Sequence, residues 1–177
     1  MQNHIFKIAI IGNGGGGKTT LSRVLARRYQ LNLVHVDSIQ YLPGMKTRAA
    51  EETQIILNQA ADQQDWVIDG FGSLEVMERR FKLADKIIFV DFPLWRHYWW
   101  CTKRQVKSIW MPRSELPKGC DEATVGYTIK LFKILWRVHV KIKPELEMIF
   151  DRPEIKPKVV RIANLHEWKS VLNSGLL

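Results

Sequence analysis

Residues 12–19 read Gly-Asn-Gly-Gly-Gly-Gly-Lys-Thr and fit the pattern G-x-x-x-x-G-K-[S/T] at every fixed position. Glycines let successive backbone N–H groups turn inward around phosphate oxygens with no side chain in the way. Lys18 supplies a positive charge to the terminal phosphates of a nucleoside triphosphate, and the Thr19 hydroxyl is a ligand for Mg²⁺. The apolar run Ile8-Ala9-Ile10-Ile11 precedes this segment and the helix-competent stretch Thr20 to Leu25 follows it. Strand, glycine loop and helix together separate a phosphate cradle from a flexible glycine turn. The helix N-terminus behind the loop adds its dipole. The expected nucleotide-binding set is therefore Gly12, Asn13, Gly14, Gly15, Gly16 and Gly17 with Lys18, Thr19 and Thr20. Four consecutive glycines exceed what the pattern requires, which predicts a loop that is mobile when empty and ordered by Mg-nucleotide.

Three aspartates follow apolar runs: Asp37, Asp69 and Asp91. In open parallel sheets ligands bind beyond the carboxyl ends of the strands, so these acids are expected to share one crevice with the glycine loop. Asp69 ends the run Trp66-Val67-Ile68 and is expected to hold Mg²⁺ directly or through water. Asp37 either orients an acceptor hydroxyl or supports the metal, and spacing does not choose between them. Asp91 precedes Phe92-Pro93 and reads most simply as a helix cap.

The elements that must position these residues alternate. Strands are predicted over 5–11, 33–36, 66–69, 86–91 and 158–163, and helices over 18–30, 46–64, 73–82, 94–110 and 123–142. A chain of 177 residues with 46% hydrophobic and 25% charged residues suits one domain spanning 1–177 with a substantial core. No apolar run reaches membrane-span length and no signal-peptide pattern precedes the first strand, so a cytoplasmic location is expected. Cys101 and Cys120 lack metal-ligand spacing and read as free thiols. Residues 111–122 hold two prolines and a glycine and form a loop, either a short mobile lid or a plain connector.

The glycine loop, the aspartate after the second strand, Asp69-Gly70-Phe71, and Ala84-Asp85-Lys86-Ile87-Ile88-Phe89-Val90-Asp91-Phe92-Pro93 together resemble adenylate kinase and related nucleoside monophosphate kinases. His35-Val36-Asp37, Pro43-Gly44 and Trp66-Val67-Ile68-Asp69-Gly70 are similar to the small adenylate-kinase-like proteins of the DNA-topology-modulation and flagellar-regulation group. Gly72 stands where adenylate kinases carry proline. The resemblance covers about residues 5–165. It implies a three-layer α/β phosphate-loop fold with a five-stranded parallel sheet, Mg-ATP as donor, and γ-phosphoryl transfer to a small phosphorylated acceptor. It also implies two arginines four apart on the helix after the fourth strand. Here the second is Arg104 and the first falls on Trp100, which puts phosphate clamping at that position in question and offers an indole for base stacking instead. By the same resemblance Lys18, Arg104 and Asp37 are the catalytic candidates, with Arg113 or Arg137 as auxiliary cations. Thr19 and Asp69 would hold the metal, and Asp37, Arg48 and Arg137 would meet the acceptor.

Charge is uneven. Residues 1–93 carry 11 Lys/Arg against 10 Asp/Glu, whereas residues 94–161 carry 15 against 7. Lys130, Lys133, Arg137 and Lys141 form a helical stripe that reads as a solvated face, a wall of the nucleotide site, or a contact for nucleic acid or an anionic membrane. Trp95, Trp99, Trp100 and Trp110 are expected mostly to pack, with one free to stack on a base. Two other functions stay open at this point: a nucleotide-regulated nucleic-acid-associated protein, and an NTP hydrolase with water as acceptor.

Overall fold

The computed structural model describes residues 6–108 and 125–176. In chain order the elements are β1 (Lys7–Gly12), α1 (Lys18–Tyr29), β2 (Leu33–His35), α2 (Val36–Gln40), β3 (Tyr41–Leu42), β4 (Lys46–Thr47) and α3 (Ala50–Asp62). They continue with β5 (Trp66–Asp69), α4 (Leu74–Leu83), β6 (Lys86–Val90), α5 (Leu94–Ser108), α6 (Val125–Arg137), α7 (Lys143–Phe150), β7 (Val159–Ile162) and α8 (Leu165–Ser174). Five strands form one parallel sheet in the order β2-β5-β1-β6-β7. The strand and fold-class expectations hold.

The strands read as continuous apolar runs because both faces of a parallel sheet are covered. Successive residues of β1 divide between two cores. Ala9 and Ile11 pack with Leu57, Val76, Phe81 and Phe150 from α3, α4 and α7. Ile8 and Ile10 pack with Leu21 and Leu25 of α1 and with Trp168 and Leu172 of α8. A third, smaller cluster of Cys101, Leu131 and Leu135 joins α5 to α6. No helix among the described residues is long and apolar enough to cross a membrane.

Three local expectations are corrected. Residues 46–47 do not begin a helix: they pair antiparallel with Tyr41–Leu42. Gly44, at φ +75°, makes the turn between them, and the Arg48 amide donates to the Gln40 carbonyl at 2.9 Å. The helix ending at residue 142 instead passes through a π-turn at Val138–Ile142 into α7. Pro144, which has no N–H to donate, falls directly after the π-turn, in the first turn of α7. Finally, α8 forms although no helix is expected there. Asn164 accepts from the Glu167 amide at 3.0 Å, and Glu167 accepts from the Ala163 amide at 2.7 Å, a reciprocal cap. The segment 111–122 with Arg113, and also Trp110 and Cys120, lie outside the described residues.

Candidate active site

The carboxyl ends of β1, β2 and β5 meet at a cleft of about 650 Å³. Its lining includes the loop from Asn13 to Thr20 together with Asp37, Asp69, Trp100 and Arg104. Sequence positions far apart are brought together by register. His35 of β2 pairs with Asp69 of β5, so both side chains leave the sheet on one side. The His35 Nδ1–H donates to Asp69 Oδ1 at 2.9 Å. On the buried face of α1, one turn after Thr19, the Ser22 hydroxyl lies 2.6 Å from Asp69 Oδ2 and 3.0 Å from the Thr19 carbonyl. Burial opposes ionisation of Asp69, but the bonds from His35 and Ser22 and the charge of Lys18 outweigh it and hold the carboxyl below its ordinary range.

The glycine loop is tied to α5 and α6 by hydrogen bonds. Asn13 Nδ2 donates to the Leu135 carbonyl at 2.8 Å, and its Oδ1 accepts from the Gly14 amide at 2.9 Å. His97 Nδ1–H donates to the Gly14 carbonyl at 2.7 Å. Burial drives the His97 pKa down to about 4, so the imidazole is neutral. The glycines are required by close approach. A Cβ on Gly14 would lie 2.8 Å from Leu135 Cδ2, and one on Gly15 would lie 2.9 Å from Cys101 Sγ and 3.2 Å from the His97 carbonyl oxygen. Gly15 and Gly17 also adopt φ +75°, which L side chains resist. The run of four glycines thus lets α5 and α6 sit directly on the loop.

Lys18 Nζ donates to the Asn13 carbonyl at 2.9 Å, a backbone contact across the cradle. Burial lowers its pKa, Asp37 and Asp69 raise it, and Arg104 lowers it, with a net fall. Arg104 reaches the cleft from α5, and its buried Nε has no hydrogen-bond partner among the described residues. Asp37, in the first turn of α2, lines the same cleft.

Two expected acceptor residues are not among those lining the cleft. Arg48 donates from Nε to the Ile39 carbonyl at 2.8 Å and pairs with Glu52, stapling the hairpin to α3. Arg137 stands exposed on α6. Asp91 binds Lys143 at 2.5 Å and Arg161 at 2.6 Å, so its carboxylate ties β6 to α7 and β7 in addition to preceding α5. Trp95 and Trp99, expected to pack, are exposed.

Sequence reasoning missed Ser22, His97, Arg80 and Trp168. Ser22 carried a signal, since it is a hydroxyl on the otherwise apolar buried face of α1. His97 and Arg80 carried none, because only the fold shows that they are enclosed. Arg80 is buried and donates from Nη2 to the Gly70 carbonyl at 2.7 Å, and desolvation lowers its pKa to about 10. Trp168 packs on Gly17 and lines a side pocket of about 250 Å³ with Gly15, Thr20, Phe92, Trp100 and Leu165. Its buried indole N–H has no partner among the described residues.

No protein-family model matches this chain, and no curated protein matches it. Solved structures do. A shikimate kinase from Acinetobacter baumannii in complex with shikimate aligns with 96% of this chain and 90% of its own, at a TM-score of 0.58 and 13% identity. A shikimate kinase from Bacteroides thetaiotaomicron aligns over 87% and 94%, at a TM-score of 0.50 and 16% identity. At these identities the likeness is one of fold: the α/β phosphate-loop kinase fold around five parallel strands.

Proposed function

We propose that this chain is a Mg-ATP-dependent phosphotransferase of the adenylate-kinase-like type that moves the γ-phosphoryl group to a small, phosphorylated acceptor such as a nucleoside monophosphate. The observation that carries the reading is the convergence of Lys18, Thr19, Asp69, Asp37 and Arg104 on one cleft. A flexible glycine turn needs no such company. The Trp66-to-Gly70 and His35-to-Asp37 segments favour the small DNA-topology-modulation and flagellar-regulation branch of that group. The chain works as one domain in the cytoplasm.

The loop amides and Lys18 bind the donor phosphates, with Lys18 exchanging the Asn13 carbonyl for phosphate oxygens. The side pocket takes the base: Trp100 and Trp168 offer aromatic surface, and the Trp168 N–H offers a donor. Thr19 and Asp69 would hold Mg²⁺, which shields phosphate charge when bound. Both Asp69 oxygens already accept from Ser22 and His35, a donor set suited to orienting a metal-bound water. Arg104 brings a guanidinium whose Nε is unengaged to the charge that spreads over the transferring group. Asp37 orients the acceptor, accepting a proton or a hydrogen bond from it.

An ADP-release assay against nucleoside monophosphates, shikimate and other small acceptors tests this reading. Acceptor-dependent ADP formation is the expected result. Release that ignores every acceptor would identify a hydrolase, and no nucleotide-induced rise in melting temperature at saturating Mg-ATP would remove the donor site altogether.

A further inference from the structure

The side of α5 and α6 that does not line the cleft carries large apolar residues in solvent. Trp95 is 62% exposed, Trp99 55%, Ile129 54% and Trp136 55%. Helical spacing puts Trp95, Trp99, Thr102 and Val106 on one stripe of α5, and Ile129, Lys133 and Trp136 on one stripe of α6. Tyr98 and Phe132, one step inward from each stripe, meet at the seam with ring centroids 4.9 Å apart. Beneath them Cys101, Leu131 and Leu135 hold the two helices together. The two stripes thus lie on either side of the Tyr98–Phe132 contact. A monomer in water seldom leaves such a patch uncovered.

Within the two helices themselves the charge has one sign. Neither helix contains an aspartate or glutamate, and Lys103, Lys130, Lys133 and Arg137 stand exposed on or beside the stripes. Lys103 Nζ sits 4.9 Å from the centre of the Trp99 ring, a cation placed over an exposed indole. Three occupants differ in how well they satisfy this pattern. A second copy would oppose two acid-free cationic faces, which disfavours self-association here. Nucleic acid would engage the cations and indoles but leave Val106 and Ile129 uncovered. An anionic bilayer satisfies both parts, with indoles and aliphatic groups entering the headgroup–acyl boundary while the lysines lie among lipid phosphates.

We propose that the exposed α5–α6 face docks this protein peripherally on anionic lipid membranes. The cleft opens on other faces of the same two helices, which Arg104, Leu131 and Leu135 line. Docking therefore leaves the nucleotide site accessible. The proposal is independent of the catalytic reading above.

Co-flotation of the full chain with phosphatidylcholine vesicles, with and without phosphatidylglycerol, tests it, alongside the tryptophan emission maximum. Flotation and a blue shift are expected only with phosphatidylglycerol. Trp99→Ser with Trp136→Ser should abolish both. Lys103→Gln with Lys133→Gln should weaken partitioning roughly thirtyfold, from about fivefold per cation removed near an anionic surface. All four positions are exposed, and circular dichroism with melting temperature verifies that each variant folds. Absence of flotation at low salt, equal binding to neutral vesicles, or binding that survives both double variants overturns the proposal. Retention of a single-stranded oligonucleotide, or a tryptophan-dependent dimer, without vesicle binding overturns it in favour of that other partner.

Discussion

The glycine loop and the β3–β4 hairpin share a backbone feature and differ in almost everything around it. Gly15 and Gly44 both sit at φ +75°. At Gly15 an added Cβ meets Cys101 and the α5 backbone, whereas at Gly44 nothing lies within 4 Å. The loop side is thus clamped by α5, α6 and α8, with its polar groups tied through Asn13, His97 and Lys18. The hairpin is a two-residue ladder held by Arg48. One side of the molecule is packed tightly around its backbone, and the other is open.

If the clamped side carries the chemistry, the largest effect belongs to Lys18→Ala. Turnover or nucleotide affinity should fall roughly a hundredfold or more, the scale of removing a donor that stabilises developing charge. Steady-state ADP release and nucleotide titration measure it. Full activity in that variant would end the comparison, since the loop would then be scaffolding.

Stability separates the two glycines next. Gly44→Ala should cost only the left-handed backbone penalty, about 1–2 kcal/mol. Gly15→Ala adds overpacking against α5 and should cost about 2–5 kcal/mol in all. Because Cys101 Sγ is the nearest atom, Cys101→Ala should recover part of the loss in the Gly15→Ala background. Equal thermal shifts for the two glycine variants would show that α5 does not press on the loop.

Acid provides a third probe. The folded His97 pKa of about 4 lies below its ordinary value of 6.5. Above pH 6.5 the imidazole is neutral in both states, so it contributes no pH dependence. Between 6.5 and 4 the unfolded chain takes up a proton that the folded chain refuses, and stability falls, on the order of 3 kcal/mol in full. Asp69 acts lower. Its carboxyl is depressed in the fold, so its contribution is complete above the ordinary carboxylate range and is lost as pH falls through the folded pKa. Melting curves across pH should show the His97 limb flattened in His97→Gln and the acid limb retained. An unchanged slope between 6.5 and 4 would mean that His97 is not enclosed.

What the sequence made legible follows the same divide. The five strands were readable because buried parallel strands force a local apolar pattern, and Asn13 to Thr19 with Asp69 formed a motif whose members the fold brings to one cleft. Ser22 was missed and His35 entered only as part of the His35-Val36-Asp37 motif, because their bonds to Asp69 depend on strand register and helix placement. The pressure of Cys101, His97 and Leu135 on the loop has no local signature at all. The sequence therefore shows four glycines without showing the helices that pack on them. Trp95 and Trp99 misled: their spacing marks a helix face without saying which way it turns.

The smallest effect should come from the hairpin. Proximity to Pro43-Gly44 made Arg48 look like an acceptor ligand, yet its guanidinium is occupied by the Ile39 carbonyl and Glu52. An exposed i, i+4 ion pair contributes about 0.3–0.5 kcal/mol, and the bond to the carbonyl about 1.5–3 kcal/mol at most. Arg48→Met should therefore lower the melting temperature modestly and leave kcat and the acceptor KM within about twofold, since it takes from the cleft only indirect support. Asp37→Asn is the internal control, because that side chain does line the cleft and its loss should fall on the acceptor step. A large rise in acceptor KM for Arg48→Met, with stability intact, would show that the hairpin moves when substrate arrives. The open side would then be a closing wall, and the contrast with the clamped loop would be one of timing rather than of role.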